Sequence, residues 1–463
     1  TKWKEHHCMR AHLQRLWEKM RDSYWLVPSL MAASAALLSW WTVWLDTYVS
    51  SETVGGISWI YITGTEGSRT LLSTIAGSMM TVTGVVFSMT TVALSLASQQ
   101  LGPRILRNFM QDKGNQIVLG TFIATFLYCI LVLRTIHETG EEVFVPRLSL
   151  LCAVGLAMAS LGVLIYFIHH VAKSIQAPTV IQSVGRSFLT AIEELYPGDT
   201  GKASRPRRPG KPEEEIPSDF EGRSVEMLAR NAGYLQAIDI VALARLAEEQ
   251  DLLLRLEARP GHFLFQNQPL VRVYPEDRLT KAVRKKIDFV FVIGGHRTPT
   301  QDIEFTLDQL VEVAVRALSP GINDPFTALS CVDWLGAGLS ELAQKEQPAT
   351  HHYNEAGQLR MITSVASFEG LADAALNQLR QHSHHDVAVT CRLLEIIARI
   401  VNACPDENVR NILTQHAAAI HRNSLDWTHE TDKLDADRRV RAVMDRLSEA
   451  DDAAPPSNAL NTD

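Results

Sequence analysis

Four stretches of the chain, residues 25–45, 71–97, 117–136 and 148–169, are apolar throughout and almost uncharged. As helices rising about 1.5 Å per residue, each is long enough to cross the roughly 30 Å hydrocarbon core of a bilayer. The second stretch departs from a plain lipid-facing pattern. Thr74, Thr81, Ser88 and Ser95 recur at heptad spacing, and Thr70, Gly77, Gly84, Thr91 and Ser98 form a second row three residues on. On a helix these rows are neighbours, so they make one continuous stripe of small and hydroxyl-bearing side chains. Lipid gives such a stripe no reason to exist; it suits another helix at close range or a water-filled space. Ala76, Thr83, Thr90 and Ala97 add a small-residue row on the other side, which predicts a helix contacted on both faces.

Beyond the fourth span the periodicity changes. Ile175, Val180, Ile181, Val184, Phe188 and Ile192 keep helical spacing, interrupted near Pro178, and residues 196–220 are dense in Pro, Gly and charge, a linker. SVEMLA and GYLQAI have the period of strands, IVALARLAEEQ that of a short helix, and the run LLLRLEARPGHFLFQNQPLVRVYP reads as strands divided by Pro-Gly and Asn-Gln turns. A helix over residues 278–287 and a strand, FVFVIGG, follow. Thr298, Pro299 and Gln301 then form the pattern of a capping box ahead of IEFTLDQLVEVAVRAL, and Asp324-Pro325 opens the next helix. MITSVASF reads as a strand, and the remainder as mostly helix to about Leu447 with a disordered tail.

The predicted fold class is therefore an α+β integral membrane protein. Its parts are an N-terminal segment 1–24, a four-helix transmembrane domain 25–170, a connecting helix and linker 171–220, a small β-rich module 221–277, a helix-rich module 278–447 and a tail 448–463. Basic residues set the orientation. Lys2, Lys4, Arg10, Arg15, Lys19 and Arg21 precede the first span, and Arg104, Arg107 and Lys113 lie between the second and third, so those sides are expected to be cytoplasmic. Both termini and everything after the fourth span then fall inside the cell. The first span is followed by three more and lacks a small-residue cleavage site, so it is read as a membrane helix with Trp40, Trp41 and Trp44 in the outer aromatic belt. The turn GPRILRNFMQDKGN is amphipathic and suits the inner leaflet surface or a link between the membrane and cytoplasmic parts.

Across 463 residues the net charge of −8, with no Lys/Arg run interleaved with aromatics, excludes nucleic acid as a partner. The six cysteines carry no CxxC or metal-ligand spacing and read as plain thiols. No Walker loop, HExxH, GxSxG or complete dinucleotide fingerprint occurs, so no cofactor and no metal are expected. Gly294-Gly295 alone does not make a phosphate loop. His382, His384, His385 and Asp386 have the composition of a metal cluster but the spacing of a solvated turn, and His351-His352 reads the same way. Arg134 reads as an interface anchor, the alternative being a role in attracting anions at an outer mouth, and His137, His169 and His170 are interfacial; mid-span ionisable groups of the kind that couple proton transport are missing from the pattern.

Two polar clusters in the later part of the chain are candidate ligand sites: His296, Arg297, Asp302 and Glu304 around one helix start, and Arg316, Ser319, Asn323 and Asp324 around the next junction. Helix N-termini attract anions, and carboxylates beside Arg hold cations or polar metabolites. The plainer alternative is that Asp302 and Asp324 cap helices and the arginines pair locally.

Several runs are similar to a bacterial family of predicted membrane proteins known as domain of unknown function 2254. They are GVVFSMTTVALSLASQQLGPRILRNFMQDKGNQIVLGTFIATFLY, LGVLIYFIHHVAKSIQ, GGHRTPTQDIEFTLDQLVEVAVRALSPGINDPFTA and the GYLQAID segment. The resemblance implies a bacterial inner-membrane protein and brings no activity with it. The RPGHFLFQNQPL run also resembles the hairpin of a biotinyl or lipoyl barrel-sandwich hybrid, without the swinging-arm lysine. The functional expectation is a homo-oligomeric, channel-like protein lined by Thr74, Gly77, Thr81, Gly84, Ser88, Thr91 and Ser95. Its expected partners are membrane lipid, copies of itself and an ion or small polar ligand. The rivals are a membrane-anchored enzyme acting on a polar or phosphorylated metabolite, and a non-catalytic sensor or scaffold.

Overall fold

A computed structural model describes residues 25–48, 64–105, 112–139, 142–196 and 216–453. The chain divides into two units, Thr1–Thr179 and Val180–Asp463. The N-terminal segment, the linker residues 197–215 and residues 106–111 of the amphipathic turn lie outside the described residues.

Among its described residues the first unit contains four helices long and apolar enough to cross a membrane: α1 (Leu26–Tyr48), α2 (Thr65–Leu101), α3 (Lys113–Leu133) and α4 (Arg147–Ser174). A short antiparallel hairpin, β1 (His137–Thr139) with β2 (Glu142–Phe144), joins α3 to α4. The central helix is α3, which packs against α1, α2 and α4. Buried polar groups knit this bundle together in pairs. Thr42 of α1 hydrogen-bonds the Tyr128 hydroxyl of α3 at 2.9 Å, and Tyr128 donates to the Ser149 carbonyl of α4 at 3.1 Å. Thr125 meets Ser160 at 3.0 Å. At the end of α1 the Asp46 carboxylate accepts from the Leu148 and Ser149 amides at 2.8 and 2.9 Å and from the Ser149 hydroxyl at 2.7 Å, capping α4 from another helix. A buried polar group left unpaired is costly, so these contacts fix which helices are neighbours.

After a two-residue break at 175–176 comes α5 (Ala177–Leu195), with Pro178 in its first turn where a missing amide is tolerated; the second unit starts within this helix, at Val180. A five-stranded sheet runs in the order β3-β7-β5-β10-β9, and a three-stranded one in the order β6-β4-β8. The strands are β3 (Val225–Leu228), β4 (Gly233–Ile238), β5 (Leu253–Leu256), β6 (Phe263–Leu264), β7 (Pro269–Tyr274), β8 (Phe291–Gly294), β9 (His351–Tyr353) and β10 (Leu359–Ile362). Between them lie α6 (Ile240–Glu249) and α7 (Lys281–Val290), whose apolar sides join the strands in one core with Leu235, Leu243, Val273 and Ile287 fully or almost fully buried. The remaining chain forms α8 (Ile303–Ala317), α9 (Pro325–Leu342), α10 (Phe368–His382), α11 (Val387–Ala403), α12 (Glu407–Ser424) and α13 (Glu430–Ala453). Buried residues occur all around α8, as befits a helix packed on α9 and α10 in the interior of the layer.

Four expectations are corrected here. The β-rich run is not a barrel-sandwich hybrid, because its β5 pairs in parallel with β10, about a hundred residues downstream. Thr298 is not the cap of α8: Asp302 takes that place, accepting from the Phe305 amide, while the Gln301 side chain instead pairs with both backbone groups of Ile238. His351 and His352 lie in a strand facing Ile362 and Met361, not in a solvated turn. The last helix continues past Leu447 to Ala453, and residues 454–463 lie outside the described set.

Aromatic residues lock α5 to α9. A Cβ at Gly338 would stand 2.0 Å from the Phe188 ring, and one at Gly185 would stand 2.3 Å from the Trp334 ring, so each helix supplies a glycine to seat the other's aromatic. Only hydrogen on the α-carbon permits that approach.

Candidate functional site

Among the described residues of the protomer, α2 is packed on one face only. Leu72, Ala76, Val86, Ala93, Ala97 and Leu101 are buried, while Thr74, Gly77, Thr81, Gly84, Ser88, Thr91 and Ser95 are all exposed. At 100° per residue the two sets lie roughly 160° apart around the helix. Among the described residues of a single copy, the expectation of contact on both faces therefore fails. The open face has relief. Exposed Met80 and Phe87 border the stripe on one side, and Val85, Met89, Val92 and Leu96 on the other, so the small residues form the floor of a trough between bulky apolar ridges. A Cβ at Gly77 or Gly84 would meet nothing within 4 Å.

Three threonine hydroxyls on this face are turned into the helix. Thr74 donates to the Thr70 carbonyl at 2.7 Å, Thr81 to Gly77 at 3.0 Å and Thr91 to Phe87 at 2.9 Å. Each donor is thus satisfied one turn back, and what remains outward is the oxygen's acceptor capacity.

The first polar cluster is an interlocked ion-pair network. Arg297 grips Asp302 with two parallel hydrogen bonds, Nε to Oδ2 at 2.7 Å and Nη2 to Oδ1 at 2.8 Å, and reaches Asp308 through Nη1 at 2.7 Å. Arg259, from the loop after β5, donates to Glu304 at 2.6 Å. Asp302 is 2% exposed. The chain passes close over it at Gly261, whose φ of +96° and whose missing Cβ, which would stand 2.6 Å from the carboxylate, both require glycine. The Arg297 guanidinium is held above its ordinary value; burial opposes this, but the hydrogen bonds and charge of Asp302 outweigh it. His296 takes no part: its ring is exposed, and only its backbone carbonyl is used, by Gln236. Arg259, Asp308 and Gly261 were not singled out by the sequence, because the first and last lie in a loop well upstream of the cluster and Asp308 lies in the second turn of α8.

The second cluster is a helix junction. Asn323 adopts a left-handed conformation at φ 49°, Asp324 accepts from Thr327 through its amide at 3.2 Å and hydroxyl at 2.6 Å, and the Ser319 hydroxyl donates to the Arg316 carbonyl at 2.6 Å. Arg316 lies 4.0 Å from Glu312 one turn earlier. His382 ends α10 and His384 and His385 lie in the turn before α11, all three exposed, with Asp386 capping α11. Among the described residues no group of His, Cys, Asp and Glu is arranged to hold a metal ion. Cys129, Cys331, Cys391 and Cys404 are buried free thiols and Cys152 a half-buried one; Cys8 lies outside the described residues.

Residues 21–399 match the family model described as predicted membrane protein, DUF2254. The chain belongs to this family. An uncharacterised protein of Mycobacterium bovis and another of Mycobacterium tuberculosis are each 30% identical over 455 residues, covering 95% of this chain and 83% of theirs. No solved structure matches. Family membership agrees with the four apolar helices and assigns no chemistry to either the trough on α2 or the ion-pair network.

Proposed function

We propose that this family member is a homo-oligomeric, channel-like protein of the bacterial inner membrane, with both termini and the second unit in the cytoplasm. In this reading the α2 troughs of neighbouring copies meet around a common axis. The observation that carries it is the outward position of the whole stripe from Thr74 to Ser95 on a helix whose opposite face is already packed. Small residues let helix backbones approach, and lipid chains draw no benefit from a polar floor between apolar ridges. Four helices in one protomer leave no room for a conduit, so a pore requires a ring of copies. Because the threonine hydrogens are committed to the helix, the rings would offer oxygen acceptors to whatever passes, which suits a partly hydrated cation.

An enzyme for a phosphorylated metabolite is the weaker reading, since Arg297, the best-placed cation for such a ligand, is already bound to two carboxylates. Ion flux into liposomes, compared between the wild type and Ser88→Leu, tests the proposal. Flux that Ser88→Leu reduces severalfold supports it; no flux from the wild type, or the same flux from the substituted protein, refutes it.

A further inference from the structure

Beside the ion-pair network the second unit contains a cavity of about 250 Å³. It lies among the end of α5, the β4–α6 and β5–β6 connections, the first turn of α8 and the loops flanking β9 and β10. Its walls are mainly apolar, with Leu195, Ile238, Leu256, Ile303 and Val365 among them. Exposed Ala349 and Ser364 mark a mouth to solvent. The Tyr196 hydroxyl is tied to the Ala366 carbonyl at 2.7 Å and holds two wall segments together.

The charges at its polar end are neutralised before any ligand arrives. Asp302 is gripped by Arg297, and Arg259 by Glu304. An anion entering there meets an arginine that already has its carboxylate, and a cation meets a carboxylate that already has its arginine. Hydrogen-bonding capacity nevertheless remains: Arg259 engages Glu304 through one Nη, leaving further N–H groups, and His352 lines the cavity with one ring nitrogen on Thr363 at 3.1 Å. Burial holds the His352 imidazole below its ordinary value and so neutral at pH 7.

We propose that this cavity is a binding site for a small uncharged molecule, mostly apolar, with one hydrogen-bonding group directed at Arg259 or His352. An apolar cavity of about 150 Å³ accommodates benzene, so on that scale the present one takes roughly ten non-hydrogen atoms. The site is separate from the conduction reading, because every wall residue belongs to the second unit.

The test uses the full chain in phosphatidylcholine nanodiscs and saturation-transfer NMR, with empty nanodiscs as the reference. The probes are p-cresol, indole and cyclohexanol, and 4-methylbenzoate serves as the charged partner of p-cresol. The expected result is transfer to at least one neutral probe above the empty-disc level. For p-cresol the expectation is binding at least tenfold tighter than 4-methylbenzoate. Filling the cavity by Ala349→Trp at the mouth, or independently by Val365→Phe, should abolish transfer with the near-ultraviolet circular dichroism unchanged. Transfer equal to empty discs for all three neutral probes, equal binding of the carboxylate, or binding undiminished in whichever filled variant keeps its native spectrum would overturn the assignment.

Discussion

Replacing Asp302 isolates the contribution of the Arg297 network to the second unit. The carboxylate is buried, accepts two hydrogen bonds from Arg297 and caps α8 through the Phe305 amide at 3.1 Å. Removing one partner of a buried ion pair costs about 3–5 kcal/mol when nothing else compensates the survivor. Here Arg297 keeps Asp308 at 2.7 Å and is 19% exposed, which lowers the expectation for Asp302→Asn to about 2–3 kcal/mol, since asparagine still caps the helix. Asp302→Ala loses the cap as well and should cost about 1 kcal/mol more. At about 2 °C per kcal/mol for a unit of this size, the melting temperature should fall by about 5 °C for Asn and about 7 °C for Ala. The assay is thermal unfolding in detergent, followed by near-ultraviolet circular dichroism and by the fluorescence of Trp334, which packs on Gly185. Two variants that both melt within about 1 °C of the wild type would refute the view that this network anchors the start of α8. If Ala melts no lower than Asn, the capping role assigned to Asp302 is wrong.

Two further outcomes are expected in the second unit. Burial holds the imidazoles of His262, His352 and His416 below their ordinary value, so as pH falls below about 6.5 the unfolded chain takes up more protons than the folded one and stability drops. Melting temperature should therefore decline from pH 7 to pH 5, and His416→Gln should flatten the decline; a curve that is level over that interval in the wild type contradicts the assignment. Gly338→Ala places a methyl against the Phe188 ring, so overpacking of about 1–3 kcal/mol should exceed the gain of about 1 kcal/mol in helix propensity. Denaturant titration reads the balance, and a more stable Ala variant would show that Phe188 moves aside freely.

The sequence was most legible where a single segment decides its own structure. The four apolar runs became four helices, the interruption expected near Pro178 became a break at 175–176 with Pro178 in the first turn of α5, and Asp324-Pro325 opened α9. It was least legible where distant segments compete for one role. Thr298, Pro299 and Gln301 carry a good local capping pattern, yet Asp302 wins because Arg297 and the Gly261 turn enclose its carboxylate. The parallel pairing of β5 with β10 has no local signature, so the sheet could not be assembled from the 221–277 run alone. For the stripe on α2, periodicity identified the residues and their common face, but which of the two small-residue rows the protomer uses depends on α3, and that is a matter of packing. The candidate cluster divided similarly: Arg297, Asp302 and Glu304 were visible as a local group, whereas Arg259 and the neighbouring cavity arise only from the fold.

Single-particle imaging of the detergent-extracted protein bears most directly on the claim that the open face of α2 is where copies of the chain meet. The account predicts a closed ring of protomers, with Gly77, Gly84 and Ser88 nearest the axis and an opening between the helices. A monodisperse single protomer, or an assembly in which Thr74 to Ser95 faces the detergent belt, would contradict it.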